Sequence, residues 1–192
     1  NTFVDKENIN LIINKNIKEK NIGLLSIDID GNDYWILEQI NELSPAIIVC
    51  EFNSIFGDLF KLSVPYKKDF NRNEEHYSNL YFGTSIKALI SMLNKKEYTY
   101  LGTCSTGVNA FFVKKEHDSF FRSHIIDIKS YPSIAREGLD INGELTYENL
   151  LNSLSKINDM EVFDFDVNRT KKIKDYKNLY SDNWIKYLDE SR

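Results

Sequence analysis

Three carboxylates, Asp28, Asp30 and Asp33, crowd the stretch LLSIDIDGNDYWIL, and Glu51 and Asn53 follow in AIIVCEFNS. Each group ends an apolar run of the kind that forms a buried β-strand. In an open α/β sheet, ligands bind just outside the carboxyl ends of the strands, so these oxygens stand where chemistry is done. If the two strands are neighbours, their ends lie about 5 Å apart. Asp28 or Asp30 (only one is expected to share a side with Glu51) then converges with Glu51 and Asn53 on one point. Three hard oxygen ligands suit Mg²⁺ or a similar ion, with water and substrate oxygens completing its shell. The same acids can orient or deprotonate a substrate hydroxyl. A plainer alternative is capping: Asn32 or Asp33 makes a good helix N-cap, and Asp30 competes for that role. Asp28 resists this reading, because a carboxylate within a buried strand is costly without a partner. An EF-hand does not fit DIDGND, since the glycine falls two positions early and Gln39 replaces the bidentate Glu.

Other candidates lie in the aromatic-rich connection from residue 54 to 83. Tyr66, His76 and Tyr81 are the candidate substrate contacts there, with His76 as a base on a lid. Tyr66, Tyr77 and Phe82 could line a pocket, or such rings could simply pack the loop down. His117 and His124 lack metal-ligand spacing, and no nucleophile elbow, phosphate loop or Cys/His pair occurs.

The acids need rigid elements behind them. Leu24, Leu25, Ile27 and Ile29 read as a strand buried on both faces, closed by a sharp turn at Gly31. Trp35, Ile36, Ile40 and Leu43 then recur at helical spacing, Pro45 breaks the chain, and Ala46–Phe52 reads as a second buried strand. Strand, helix, strand in this order predicts a right-handed parallel crossover. Upstream, Thr2 to Val4 reads as a strand end, Asp5 as a cap, and Ile9, Ile12, Ile13 and Ile17 as a helical stripe. Downstream, residues 54–83 read as a long functional loop, and Thr84 or Ser85 caps a helix carrying Ile86, Leu89, Ile90 and Leu93. Tyr98–Cys104 and Val108–Lys114 read as strands joined in a tight hairpin across Ser105-Thr106-Gly107. From about Phe121 the pattern changes to a short strand (Ile125–Ile128), a loop, a helix from Thr146, a strand over Glu161–Val167 and a last helix around Trp184. The expected organisation is an α/β domain over 1–120, with a small α+β appendage over 121–192 packed on it.

Composition narrows the partners. A net charge of -5 and a pI near 5.3 leave no basic stripe for nucleic acid. Lys171, Lys172 and Lys174 read as a solvated helix face. Cys50 and Cys104 sit in apolar segments, which points to reduced thiols in a cytoplasmic protein rather than a disulfide scaffold. No 18-residue apolar run offers a transmembrane segment. The chain opens on Asn1 rather than Met, so an upstream segment is expected.

In LLSIDIDGNDYWIL, AIIVCEFNSIFG, YFGTSIKALISML and GTCSTGVNAFFV, over about Phe3 to Lys115, the chain resembles FkbM-like S-adenosylmethionine-dependent methyltransferases. The resemblance implies a Rossmann-like class I methyltransferase sheet, mostly parallel with a terminal antiparallel hairpin. It places the Asp-hydrophobic-acid-Gly turn after the fourth strand of that sheet. It implies that the N-terminal strands, with the cofactor's glycine-rich loop, lie outside this chain. Asp28, Glu51 and Asn53 are similar to the acids that metal-dependent O-methyltransferases carry after the fourth and fifth strands. The implied activity is O-methylation of a sugar, glycan or small-molecule hydroxyl with S-adenosylmethionine, with Mg²⁺ as a candidate second cofactor. The implied roles are orientation or deprotonation of the acceptor by Asp28 or Asp30, and a hold on metal or substrate by Glu51 and Asn53. An apolar first strand implies a neighbour on each side, and a second copy of the chain is one candidate for covering its edge. The rivals are a non-catalytic glycan- or protein-binding module and a metal-dependent hydrolase.

Overall fold

The computed structural model describes residues 3–125 and 127–190. In chain order its elements are α1 (Ile9–Asn16), β1 (Leu24–Ile27), α2 (Asp33–Gln39), β2 (Ile47–Glu51), β3 (Leu62–Ser63), α3 (Arg72–Glu75) and α4 (Ile86–Lys95). They continue with β4 (Tyr98–Thr103), β5 (Asn109–Lys114), α5 (Asp118–Arg122), α6 (Leu150–Ile157), β6 (Glu161–Asp164), β7 (Arg169–Lys172) and α7 (Asp182–Glu190). The fold is α/β. One sheet has the order β1-β2-β5-β4 and the other the order β3-β6-β7.

β1 and β2 are parallel, as the strand-helix-strand pattern requires, with Ile27 opposite Cys50. β5 runs antiparallel to both of its neighbours, β2 and β4. Three strands therefore share a direction and β5 alone opposes them. The sheet is mixed: a mostly parallel sheet holds for strand direction but not for pairing, because the returning arm of the hairpin inserts against β2.

Burial corrects the first strand. Ile27, Ile48, Cys50, Ala110 and Phe112 are buried, whereas Leu24 is 55% exposed. Leu25 and Ile48 line one hollow with Leu37 of α2 and with Ile40 just after it, while the alternate positions of β1 and β2, Glu51 excepted, are only partly covered or open. β1 is thus an edge strand with one buried face rather than a strand sandwiched on both, and among the described residues it pairs only with β2. Ser85 caps α4, accepting from the Ala88 amide (3.2 Å) while its hydroxyl donates to Phe60 O (2.8 Å).

The 54–83 connection has structure of its own: a 3-10 turn at Ser54–Phe56, then β3 and α3. β3 pairs with β6, so residues 62–63 and 163–164 share a sheet. Trp184 and Ile157 of the tail lie in one apolar cluster with Phe52 and Phe56. Lys171 and Lys172 lie on β7 and Lys174 on a 3-10 turn, not on a helix face. Asn168, at φ 53, makes the tight reversal between β6 and β7, and lysines suit an exposed edge strand. α6 starts at Leu150 under an Asn149 cap, because the Thr146 hydroxyl is spent on Gly138 O (3.0 Å). Thr2 and Ile126 lie outside the described residues, and no strand includes Phe3, Val4, Ile125, Asp127 or Ile128.

Candidate functional site

The parallel register places Ile27 level with Cys50, so Asp28, just past β1, and Glu51, the last residue of β2, stand side by side. Asp28, Asp30 and Glu51 each present an oxygen within 4.8 Å of the others. Both aspartates therefore join Glu51. Residues two apart in a strand share a face. β1 also ends at Ile27, and Asp30, at φ 55, bends the chain back toward Asp28. Asp33 is no helix cap here. Fully buried, its carboxylate accepts from the Ile29 and Gly31 amides, both at 2.9 Å, and so braces the turn that presents the other two acids. Asn32 takes the N-cap position without a capping bond and donates to Lys67 O instead (2.8 Å).

Glu51 is 9% exposed, and its Oε2 has no hydrogen-bond partner. Burial, followed by the charges of Asp28 and Asp33, pushes its carboxyl up from 4.5 to about 8, with Arg72 acting the other way. Burial also raises Asp33, against the pull of its amide donors. The Cys50 thiol beneath them is pushed up by burial and then by the same acids.

Sequence reasoning missed Arg72. Its Nη1 donates to Asp30 Oδ1 (2.7 Å), Nη2 to Glu137 Oε1 (3.0 Å) and Nε to Asn79 O (2.6 Å). The guanidinium lies 3.7 Å from the centre of the Phe82 ring. One signal was present: Arg72 is the only arginine before Arg122 in a chain otherwise supplied with lysines. A planar fork is favoured over an ammonium where several oxygens must be gripped at once. Glu137 carried no such signal.

The remaining candidates lie elsewhere. Asn53 is not a ligand of the cluster: its amide donates to Leu80 O and Phe82 O (both 2.9 Å) and accepts from the Ile55 amide, pinning the connection to β2. Tyr81 is buried between Phe56 and Phe70, its hydroxyl donating to Glu161 O, so it packs the loop instead of contacting substrate. Tyr66 stands against Trp35 and donates to Glu7 Oε2 (2.7 Å). The His76 ring pairs with Ser78 Oγ (2.8 Å) and packs on Tyr77, while burial and then Lys156 hold its pKa down. Neither joins the three acids. His117 and His124 are exposed.

Two spaces flank the cluster. A water-sized cavity of about 30 Å³ lies at the carboxyl end of β2, lined by Glu51, Ser54, Ser133, Glu137 and Ser153 among others. An open hollow of about 480 Å³ borders the other side, between Phe3, Ile29, Asp30, Phe70, Arg72 and Asn79. Three carboxylates around one point, one of them with an orphaned buried oxygen, form a donor set that fits a hard divalent cation. Among the described residues no helix is long and apolar enough to cross a membrane. Compared with protein-family models, curated proteins and solved structures, the chain matches none.

Proposed function

We propose that this chain is the acceptor-binding part of a Rossmann-like, S-adenosylmethionine-dependent class I methyltransferase, acting on a hydroxyl of a sugar or other small molecule. The observation that carries the reading is the convergence of Asp28, Asp30 and Glu51 beyond two adjacent parallel strands. That is the place where the resemblance puts the acids of metal-dependent O-methyltransferases. The antiparallel hairpin β4–β5 beside β2 supports the same reading. Asp28 and Asp30, both exposed, orient the acceptor hydroxyl and take up its proton. A divalent cation held by the three carboxylates would make that hydroxyl more acidic. The cofactor would supply the methyl group from a sulfonium cation. The hollow beside Asp30 and Arg72, at roughly 480 Å³, falls within the size range of ligand pockets. In-line displacement needs little from the protein beyond alignment, so positioning carries most of the acceleration. The free cysteines, Cys50 and Cys104, accord with a cytoplasmic setting.

Calorimetry with S-adenosylmethionine on the gene product that contains this chain is the direct test, followed by transfer of isotope-labelled methyl to polyol acceptors. Asp28→Asn should slow transfer by about 10²–10⁴-fold while leaving cofactor affinity within about twofold, the usual signature of a lost general base. No heat with the cofactor would sink the methyltransferase reading in favour of a binding module. Turnover without the cofactor would favour a metal-dependent hydrolase built on the same acids.

A further inference from the structure

A further hollow, of about 220 Å³, opens at the end of the sheet away from the acids, where β1 and β2 begin. Its walls are apolar: Leu25 and Ile48 from the strands, Leu37 and Ile40 from α2 and its end, and Leu43 and Pro45 from the turn into β2. An apolar cavity of roughly 150 Å³ is already enough to take up a benzene ring. The rim carries two ammonium groups. Lys96 Nζ donates to Ile40 O (2.9 Å) and Asn41 Oδ1 (3.2 Å), while Lys114 Nζ donates to Ser44 Oγ (2.8 Å) and pairs with Glu116 Oε1 (3.0 Å). An ammonium has three N–H donors, so each lysine keeps one. The two lysines are not equivalent. Lys114 has a counter-ion, whereas Lys96 is in contact with neutral oxygens, and among the described residues no carboxylate reaches it at ion-pair distance. Burial holds the Lys96 pKa below its usual value, with the charge of Glu38 acting the other way. A partly buried cation that meets only neutral oxygens is in an unfavourable state.

We propose that this hollow binds a small amphipathic carboxylate, with an alkyl or aryl tail of about six carbons on the apolar walls and the carboxylate on the free N–H groups of Lys96 and Lys114. The inference stands apart from the methyl-transfer reading, since none of Asp28, Asp30 and Glu51 lines this hollow. The tail supplies affinity through buried area, about fourfold for each methylene that finds cover. The head supplies selectivity, because it gives Lys96 the counter-ion that the fold does not. Glu116 is the one acid in contact with the rim lysines, and its side chain is 59% exposed. An exposed pair of this kind holds little, so Lys114 is free to share its charge with a ligand. A cationic head group would instead meet both lysines as like charges.

Calorimetry of the full chain with hexanoate tests this, with butanoate, hexanol and hexylammonium alongside. Hexanoate should bind about tenfold more tightly than butanoate, as two further covered methylenes require. Hexanol should bind about three- to tenfold more weakly than hexanoate, the range open to a partly exposed charged contact, and hexylammonium should give no heat. Lys96→Met should weaken hexanoate by that same factor and leave hexanol unchanged. Because Lys96 also bonds the end of α2, Lys114→Met supplies the same reading if the first variant unfolds. Leu43→Trp, a change at a partly exposed wall, should fill the hollow and abolish the binding of hexanoate and hexanol alike while the unfolding midpoint stays in place. No heat from hexanoate at millimolar concentrations overturns the site. Equal affinities for hexanoate and hexanol overturn the carboxylate assignment. Undiminished binding to Leu43→Trp puts the ligand elsewhere and overturns the hollow as its place.

Discussion

Glu51 has to hold a charge where burial and two neighbouring acids oppose it. With its carboxyl raised from 4.5 to about 8, the folded chain binds this proton more tightly than the unfolded chain does. Its contribution is therefore most favourable below the ordinary glutamate range and is lost as pH climbs through about 8. A shift of this size corresponds to a cost on the order of 5 kcal/mol in the ionised state. Urea unfolding should show wild type losing stability relative to Glu51→Gln between about pH 5 and pH 8, with Mg²⁺ recovering part of the loss at the upper end. A difference between the two proteins that stays constant over that range removes the buried carboxyl as its source. Asp33 meets the same problem differently: two amide donors offset part of the effect of its burial, and it serves as a brace.

At the scale of elements, the site depends on a hairpin meeting a strap, residues 129–137. Gly107, in the turn between β4 and β5, has φ +69, and a Cβ added there would lie 2.2 Å from the backbone carbonyl of Pro132. Neither the left-handed backbone nor the close approach tolerates a side chain. Gly107→Ala should cost about 2–4 kcal/mol in chemical unfolding and speed hydrogen exchange at residues 131–134, because the strap must move off the hairpin. An unchanged exchange pattern would mean that the strap is held without this contact. The turn after β1 shows the same economy, with positive φ at Asp30 aiming one acid and Asp33 holding the loop that carries it.

The whole molecule is tied together by its tail. β6 pairs with β3, Tyr180 donates to Ile55 O (2.9 Å), and Trp184 is buried near Phe52 while its indole donates to Ser130 O (3.0 Å). The described residues of the tail, 127–190, therefore complete the core around the site's connection. Trp184→Ala should cost about 3–5 kcal/mol, the usual range for emptying a buried indole. A chain cut after residue 120 should lose its single cooperative transition in calorimetry. Cooperative unfolding of the shortened chain at the original midpoint would show that the first 120 residues stand alone.

The residue pattern by itself determined the local elements that carry the acids: two apolar runs around an amphipathic helix, the Ser85-capped helix and the 98–114 hairpin. In each of these, hydrophobic period and turn chemistry act over a few residues. It also singled out Asp28, Asp30 and Glu51 by type. Only the tertiary structure decided that all three meet, that Asn53 and Tyr81 serve the loop, and that Arg72 and Glu137 close the site. Those outcomes depend on strand register and on contacts between segments 42 and 65 residues apart, which no local periodicity encodes. The one-sided burial of β1 has the same origin, since a strand's composition shows that it is apolar but not how many neighbours will cover it.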